Sequence, residues 1–329
     1  MSHYSPLSFI KNWTLPVAIA VGTFSYLLFA YIPSLDAAGD SLFPIFETLL
    51  PVTLFCTLFV TFSKVDFHLM CLHRWHLIIL CTQLVLIGVL TLLAEGMGSG
   101  NKLLLEAVLM CVIAPCASAS PVVTAKLGGD LTQMTTFVLL SSLTASLLIP
   151  AIFPLLEPHQ GVTFMTAFWL ILRRLAAVLL LPLLLGAIVR HWVKPLYIWF
   201  VHTPDLGFYC WSLSLAITTG ITVRNIVHSH AGGSLLAAIA ALTLLTAILQ
   251  FAIGRLVGRV VGEKVCTGQG MFQKNTGLAI WIAYVYLTPV ASIGAGCYVL
   301  WQNIINSYEL WQHRRSAAPS PDIAVAPTA

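Results

Sequence analysis

Apolar runs of about twenty residues follow one another along nearly the whole chain, and this repetition restricts its fold more than any other feature. A run of that length crosses the hydrocarbon of a bilayer as a helix. Helices are required there because an unpaired backbone group in lipid is too costly. About ten such runs are readable, near 13–32, 43–63, 75–95, 102–127, 131–155, 163–192, 205–228, 233–258, 264–287 and 289–311. Charged residues make up only 9% of the 329 positions, against 58% for the apolar and aromatic set, and the mean hydropathy is +0.91. A soluble domain carries about a quarter charged residues, so the expected fold class is an all-α membrane protein.

The few cations suggest an orientation. With the N-terminus inside, Lys11, Lys64, Arg74, Lys126, Arg190, Lys194, Arg255, Arg259, Lys264, Arg314 and Arg315 fall on the cytoplasmic side. Only Lys102, Arg173, Arg174 and Arg224 fall outside, and Lys274 falls within the membrane. This asymmetry follows the positive-inside rule, so both termini are expected in the cytoplasm, with a bacterial inner membrane as the expected location. The net charge of +4 is mostly that bias and implies no nucleic-acid partner. The first apolar run reads as a retained helix, because no cleavage-site pattern follows it. The eight cysteines show no Cys-x-x-Cys pair or Cys/His spacing for a metal and read as buried free thiols. His68, His73 and His76 lie around one loop without ligand spacing, so neither metal nor cofactor is expected.

Two segments break the helical pattern, "APCASASPVVTAKLGGD" (Ala114–Asp130) and "TGQGMFQKNTGLA" (Thr267–Ala279). Each lies about a hundred residues into its half of the chain, and interruptions at corresponding places point to an inverted-repeat transporter with discontinuous helices. The expectation is two inverted five-helix repeats, each with one broken helix. The alternative is a pair of Pro/Gly kinks, which membrane spans tolerate. The tail "SAAPSPDIAVAPTA" is low in complexity and is expected to be disordered.

The residues around these breaks resemble the bile acid:sodium symporter family. Pro115–Phe153, "PCASASPVVTAKLGGDLTQMTTFVLLSSLTASLLIPAIF", is similar to a family pattern reading P-G-G-T-A-S-N-V-M-T, then a G-D turn and a helix ending L-L-T-P. "NTGLA" (Asn275–Ala279) resembles the family's Q-N-S-G-L-A, "LWQNIINS" (Leu300–Ser307) its W-H-N stretch, and "FSKVDFHLMCLHRWHLIILCTQL" (Phe62–Leu84) its loop and third helix. The resemblance implies ten helices in two parts. Panel helices one and two would occupy 13–63, core helices three to five 64–158, panel helices six and seven 159–230, and core helices eight to ten 231–312. Residues 1–12 would be a cytoplasmic tail and 313–329 a disordered one. It further implies two broken helices that cross near mid-membrane, and organic anions bound between core and panel. Residues 163–174 would then form an interfacial helix, with the span beginning after Arg174.

The sodium ligands implied by the resemblance do not carry over. The first crossover's Asn falls on Pro121, the next helix's Ser and Thr on Met134 and Val138, the second crossover's Glu on Gly270, and its Gln on Lys274. Only Gln83 and Ser120 keep side-chain oxygens at matching places. A hard cation wants several oxygens, and an ammonium repels it. At an effective dielectric near 20, unit charges 4 Å apart repel by about 4 kcal/mol.

Lys274 is therefore expected to be a tethered cation where sodium would sit, near a half-helix N-terminus. It could also be a proton carrier that charges together with an anionic substrate, or a lysine that snorkels to water or bonds backbone carbonyls. No acid is expected at its depth, because Glu47, Glu95, Glu106, Glu157, Asp205 and Glu309 fall near helix ends. Ser118, Ala119, Asn275 and Thr276 would contact substrate at the crossing, and half-helix N-termini suit a carboxylate. Gln302 and Asn303 would reach substrate across the cavity or serve as interhelical glue, while the threonines of "AITTGITVRN" read as packing residues.

The leading function is a secondary transporter of a small organic anion by alternating access, with the bilayer as its other partner. One alternative is sodium coupling through a rearranged site that brings in Gln273. Another is a binding or sensory protein that no longer transports. An intramembrane enzyme lacks a nucleophile–base pair or a metal motif. Substrate, direction of transport and oligomeric state stay open.

Overall fold

The computed structural model describes residues 13–32, 34–64, 67–157, 163–203, 205–229 and 231–317. The expected N-terminal tail, and residues 318–329 of the C-terminal one, lie outside them. The chain order is α1 (Thr14–Tyr31), α2 (Asp36–Ser63), α3 (Arg74–Glu95), α4 (Ser99–Ile113), α5 (Ser120–Lys126), α6 (Leu131–Leu156), α7 (Phe164–Leu175), α8 (Leu181–Trp192), α9 (Lys194–His202), α10 (Leu206–His228), α11 (Gly233–Val261), α12 (Lys264–Phe272), α13 (Thr276–Tyr286) and α14 (Pro289–Ala317). Among the described residues there is no strand. The protein is an all-α integral membrane protein. Among the described residues, six helical stretches are long and apolar enough to cross a bilayer: α2, α3, α6, the α7–α8 stretch, α10 and α11.

The two interruptions end helices for reasons visible in the residues. Pro115 has no N–H to continue α4 and pushes the residue before it out of the helical region, and Ala114 sits at φ −55°, ψ 138°. Pro121 then suits the first turn of α5, where a missing N–H is harmless. Gly128, at φ 79°, turns the chain after α5. Asp130 caps α6 by accepting from the Gln133 N–H at 2.9 Å. In the second half, Gln273 is extended, and Asn275 restarts the helix by accepting from the Leu278 N–H at 3.2 Å, as an N-cap does.

Close packing of the long helices sets the frame. α10 lies against α1 and α2, and α2 lies against α8. At Gly22 in α1, a Cβ would stand 2.1 Å from the Ala216 carbonyl, so that approach to α10 requires glycine. Elsewhere α11 packs on α12 and α14, α13 on α14, α3 on α4, and α4 on α14. A Cβ at Gly254 would stand 2.5 Å from the Thr267 carbonyl, which is what lets α12 lie so close to α11. One continuous cluster including Leu54, Met110, Ile113, Phe137, Leu278 and Ile282 joins α2, α4, α6 and α13.

Three features differ from or add to the expected layout. Residues 163–174 do not form a separate interfacial helix. α7 runs through a π-turn, Ala176–Leu180, directly into α8. Pro182 cannot donate to the Val178 carbonyl, and one wide turn absorbs that loss without ending the helix. Second, the connection after Trp192 holds a short helix, α9, seated by Phe200 edge-on to Phe59 at 5.5 Å. The Lys64 amine secures its end by donating to the Thr203 carbonyl at 2.8 Å. Third, α14 continues to Ala317, so residues 313–317 of the segment expected to be disordered are helical. The histidine loop is structural. His76 accepts from the His73 N–H at 3.1 Å and donates to the Gln133 carbonyl at 3.0 Å.

Candidate functional site at the helix crossover

The two interruptions lie against each other. The Ala117 N–H donates to the Gln273 carbonyl at 2.9 Å, and the Asn275 N–H donates to the Pro115 carbonyl at 2.8 Å. This short antiparallel pairing brings four helix ends together: the C-termini of α4 and α12 and the N-termini of α5 and α13. Each C-terminus leaves carbonyls that its own helix cannot pair.

Side chains supply the missing donors. Lys274 Nζ donates to the Val112 carbonyl at 3.0 Å. Gln250 Nε2 donates to the Cys111 carbonyl at 3.2 Å and to the Tyr298 hydroxyl at 2.9 Å. That hydroxyl donates in turn to the Phe272 carbonyl at 2.7 Å. Gln302 clips the second interruption. Its oxygen accepts from the Lys274 N–H at 2.9 Å, and its nitrogen donates to the Lys274 carbonyl at 3.1 Å and the Thr276 hydroxyl at 3.3 Å.

Lys274 is only 1% exposed, and no described carboxylate forms an ion pair with it. Its amine reaches the C-terminal end of α4, not a half-helix N-terminus as expected. The reason is reach, since a four-carbon stem starting beside Pro115 spans back to the last turn of α4. The location suits a cation. An intramembrane lysine costs about 2.5–3.5 kcal/mol on insertion scales. A hydrogen bond to a charged group returns about 1.5–3 kcal/mol, and a helix C-terminus up to about 2 kcal/mol in a buried setting. The charge is thus affordable without an acidic partner.

A narrow cavity of about 20 Å³ lies between the crossover and α10, bordered by Ser118, Ser214, Thr218, Lys274, Asn275 and Thr276, with Leu54 and Trp211 among its apolar walls. Of the residues expected to contact substrate, Ser118, Asn275 and Thr276 line this space. Ala119 packs beside it, in a cluster with Trp211, Leu215 and Val299. Gln302 is occupied with backbone behind the crossover. Asn303 donates to the Val299 carbonyl of its own helix at 2.7 Å and borders a different groove, between α1 and α14.

Ser214 was missed, and Thr218, expected to be a packing residue, also borders the cavity. The Ser214 hydroxyl donates to the Cys210 carbonyl one turn back at 3.2 Å. The available signal was their spacing, because positions 214, 218 and 222 repeat every four residues and share one face of a helix.

The positions matched to sodium ligands are close-packed and mostly apolar. Met134 and Val138 are fully buried, and Pro121 sits buried in the first turn of α5. At Gly270 a Cβ would stand 3.1 Å from the Phe137 ring and 3.3 Å from Trp75, so aromatic rings fill the space beside that backbone. The Ser120 hydroxyl accepts from the Cys116 thiol at 3.2 Å. Two amides are different. Neither side-chain polar atom of the fully buried Gln273 has a hydrogen-bond partner, nor does Gln83 Nε2.

Comparison with known proteins agrees with the resemblance read from the residues. No curated protein matches the sequence. A family model described as the Sodium Bile acid symporter family matches residues 48–229, which takes in the first interruption and stops before the second. The match covers more than half of the 329 residues, and the chain belongs to the sodium bile acid symporter family.

Proposed function

We propose that the protein is a secondary transporter of small organic anions that works by alternating access, with the Lys274 ammonium in the structural place of bound sodium. The observation that carries this reading is the buried amine on the Val112 carbonyl at 3.0 Å. A fixed cation joins the second interruption to the end of α4, while the positions matched to sodium ligands are Pro121, Met134, Val138 and Gly270. Family membership supports transport and argues against enzymatic activity.

The panel would comprise α1, α2, α7–α8 and α10, and the core α3–α6 and α11–α14, in two inverted five-helix repeats of ten crossings. The pairwise packing of α10 with α1 and α2, and of α11–α14 with α3 and α4, favours this division. Substrate would enter the cavity beside Ser118, Asn275 and Thr276, where hydroxyl and amide groups of the core face Ser214 and Thr218 of the panel. A carboxylate there would gain from donors at the α13 N-terminus. A bacterial inner membrane, with both termini cytoplasmic, remains the proposed setting. Whether Lys274 stays charged or takes up a proton with each anion decides between an uncoupled and a proton-coupled carrier.

One observation favours a second reading. The buried amide of Gln273 has no partner on either polar atom, and an amide oxygen is a suitable ligand for a hard cation. A rearranged sodium site using Gln273 and Gln83 would account for it. The test is uptake of a panel of labelled organic anions by purified protein in liposomes, with and without a sodium gradient. Uptake unchanged by sodium supports the lysine reading, and uptake that requires sodium supports the rearranged site. Uptake of no anion under either condition argues for a binding or sensory role.

A further inference from the structure

A second cavity lies away from the crossover, between α1, α2 and α10, and shares no lining residue with the first. Its walls are largely apolar, including Phe29, Leu42, Phe46 and Ile217, and its volume is about 220 Å³. One side holds a polar cluster. The Arg224 guanidinium carbon sits 3.5 Å over the Phe43 ring centroid, and the Tyr26 hydroxyl and His228 Nδ1 are 3.2 Å apart. No ion pair among the described residues includes Arg224. Glu47 borders an adjoining cavity with Tyr284.

An arginine near a membrane interior ordinarily has a counter-charge or reaches water. A guanidinium stacked on an aromatic ring keeps its N–H edge free for a planar anion. An apolar chamber with one cationic corner therefore has the make-up of a site for an amphipath with an anionic head. Its volume is below the range of about 300–1,000 Å³ usual for pockets that enclose a drug-sized ligand. That leaves room for one acyl chain and not for the paired chains of a phospholipid.

We infer that this cavity binds a single-chain amphipathic anion, with its head on Arg224 and its tail between α1 and α2. The site is separate from the transport cavity, and it stands or falls independently of what Lys274 does.

The test uses the full chain in discs of neutral lipid and a photoreactive palmitate bearing a diazirine on its chain, with labelled residues mapped by mass spectrometry. Saturable labelling is expected on α1, α2 and α10 near Phe29 and Leu42. It should fall about tenfold in Arg224→Gln, in line with loss of one hydrogen-bonded charge pair, and persist in Arg224→Lys. The matching neutral alcohol probe should label the same residues far less. Protection of the buried Cys116 from a thiol reagent reports whether each variant is folded. Labelling absent from these helices, equal for acid and alcohol, or undiminished in Arg224→Gln would overturn the inference. Displacement of the probe by phosphatidylglycerol as effectively as by unlabelled palmitate would overturn the single-chain assignment.

Discussion

Replacing Gln302 by leucine removes the clip on the second interruption while keeping the side chain's bulk. The Lys274 carbonyl keeps a donor, because the Thr276 N–H also bonds it at 2.9 Å. The Lys274 N–H loses its acceptor, and one buried unsatisfied donor costs about 1–3 kcal/mol. The two bonds from Gln302 Nε2 add about 0.5–1.5 kcal/mol each. The expected destabilisation is about 3 kcal/mol, which lowers a thermal midpoint by several degrees, at about 2–4 °C per kcal/mol for larger domains. Cys111 and Cys116 are buried beside the crossover, so a thiol-reactive fluorophore followed on heating reads its opening directly. Asn303→Leu is the control. That amide bonds only its own helix, and the variant should stay within about 0.5 kcal/mol of the parent. Equal melting of the two variants, or unchanged Cys116 reactivity in Gln302→Leu, would refute the role given to Gln302.

Three other outcomes follow from the same geometry. Gly270→Glu, which restores the family's acidic residue, should reduce folded yield because its Cβ would press on Phe137 and Trp75. Adding Phe137→Ala should recover part of that yield, measured by size-exclusion profile. Thr218→Val keeps shape but removes a cavity hydroxyl, and should weaken anion uptake about three- to tenfold in apparent affinity without shifting the thermal midpoint. Arg255→Ala strands the carboxylate of Glu309, which pairs with Arg255 and accepts from Gln269 at 3.0 Å. A loss of about 2 kcal/mol is expected for this partly exposed pair, with Arg255→Ala/Glu309→Gln melting above the single variant.

Much of the fold was legible because membrane helices write their lengths directly into the apolar pattern. The two interruptions were equally plain, since Pro115 cannot continue α4 and the polar Gln273–Asn275 stretch breaks an apolar run. Side-chain direction was not legible. Gln302 and Asn303 are neighbours in sequence but point about 100° apart on a helix, so one clips the crossover and the other faces a separate groove. Lys274 was readable as an intramembrane cation, but its bond to Val112 depends on where α4 ends in space. The hydroxyl face of α10 was passed over because Ser and Thr so often bond their own helix, as Thr219 and Thr222 do here. The π-turn after Leu175 left no local signal beyond Pro182.

The central claim is that the Lys274 ammonium does what sodium does elsewhere in the family. The most direct measurement is anion uptake in sodium-free liposomes by the wild type, Lys274→Arg and Lys274→Gln. The account predicts substantial uptake by the wild type without sodium, partial uptake by Lys274→Arg, and a loss of about tenfold or more in Lys274→Gln, the size of one buried charge-assisted bond. Sodium-free uptake by Lys274→Gln equal to the wild type, or wild-type uptake only when sodium is supplied, would contradict it.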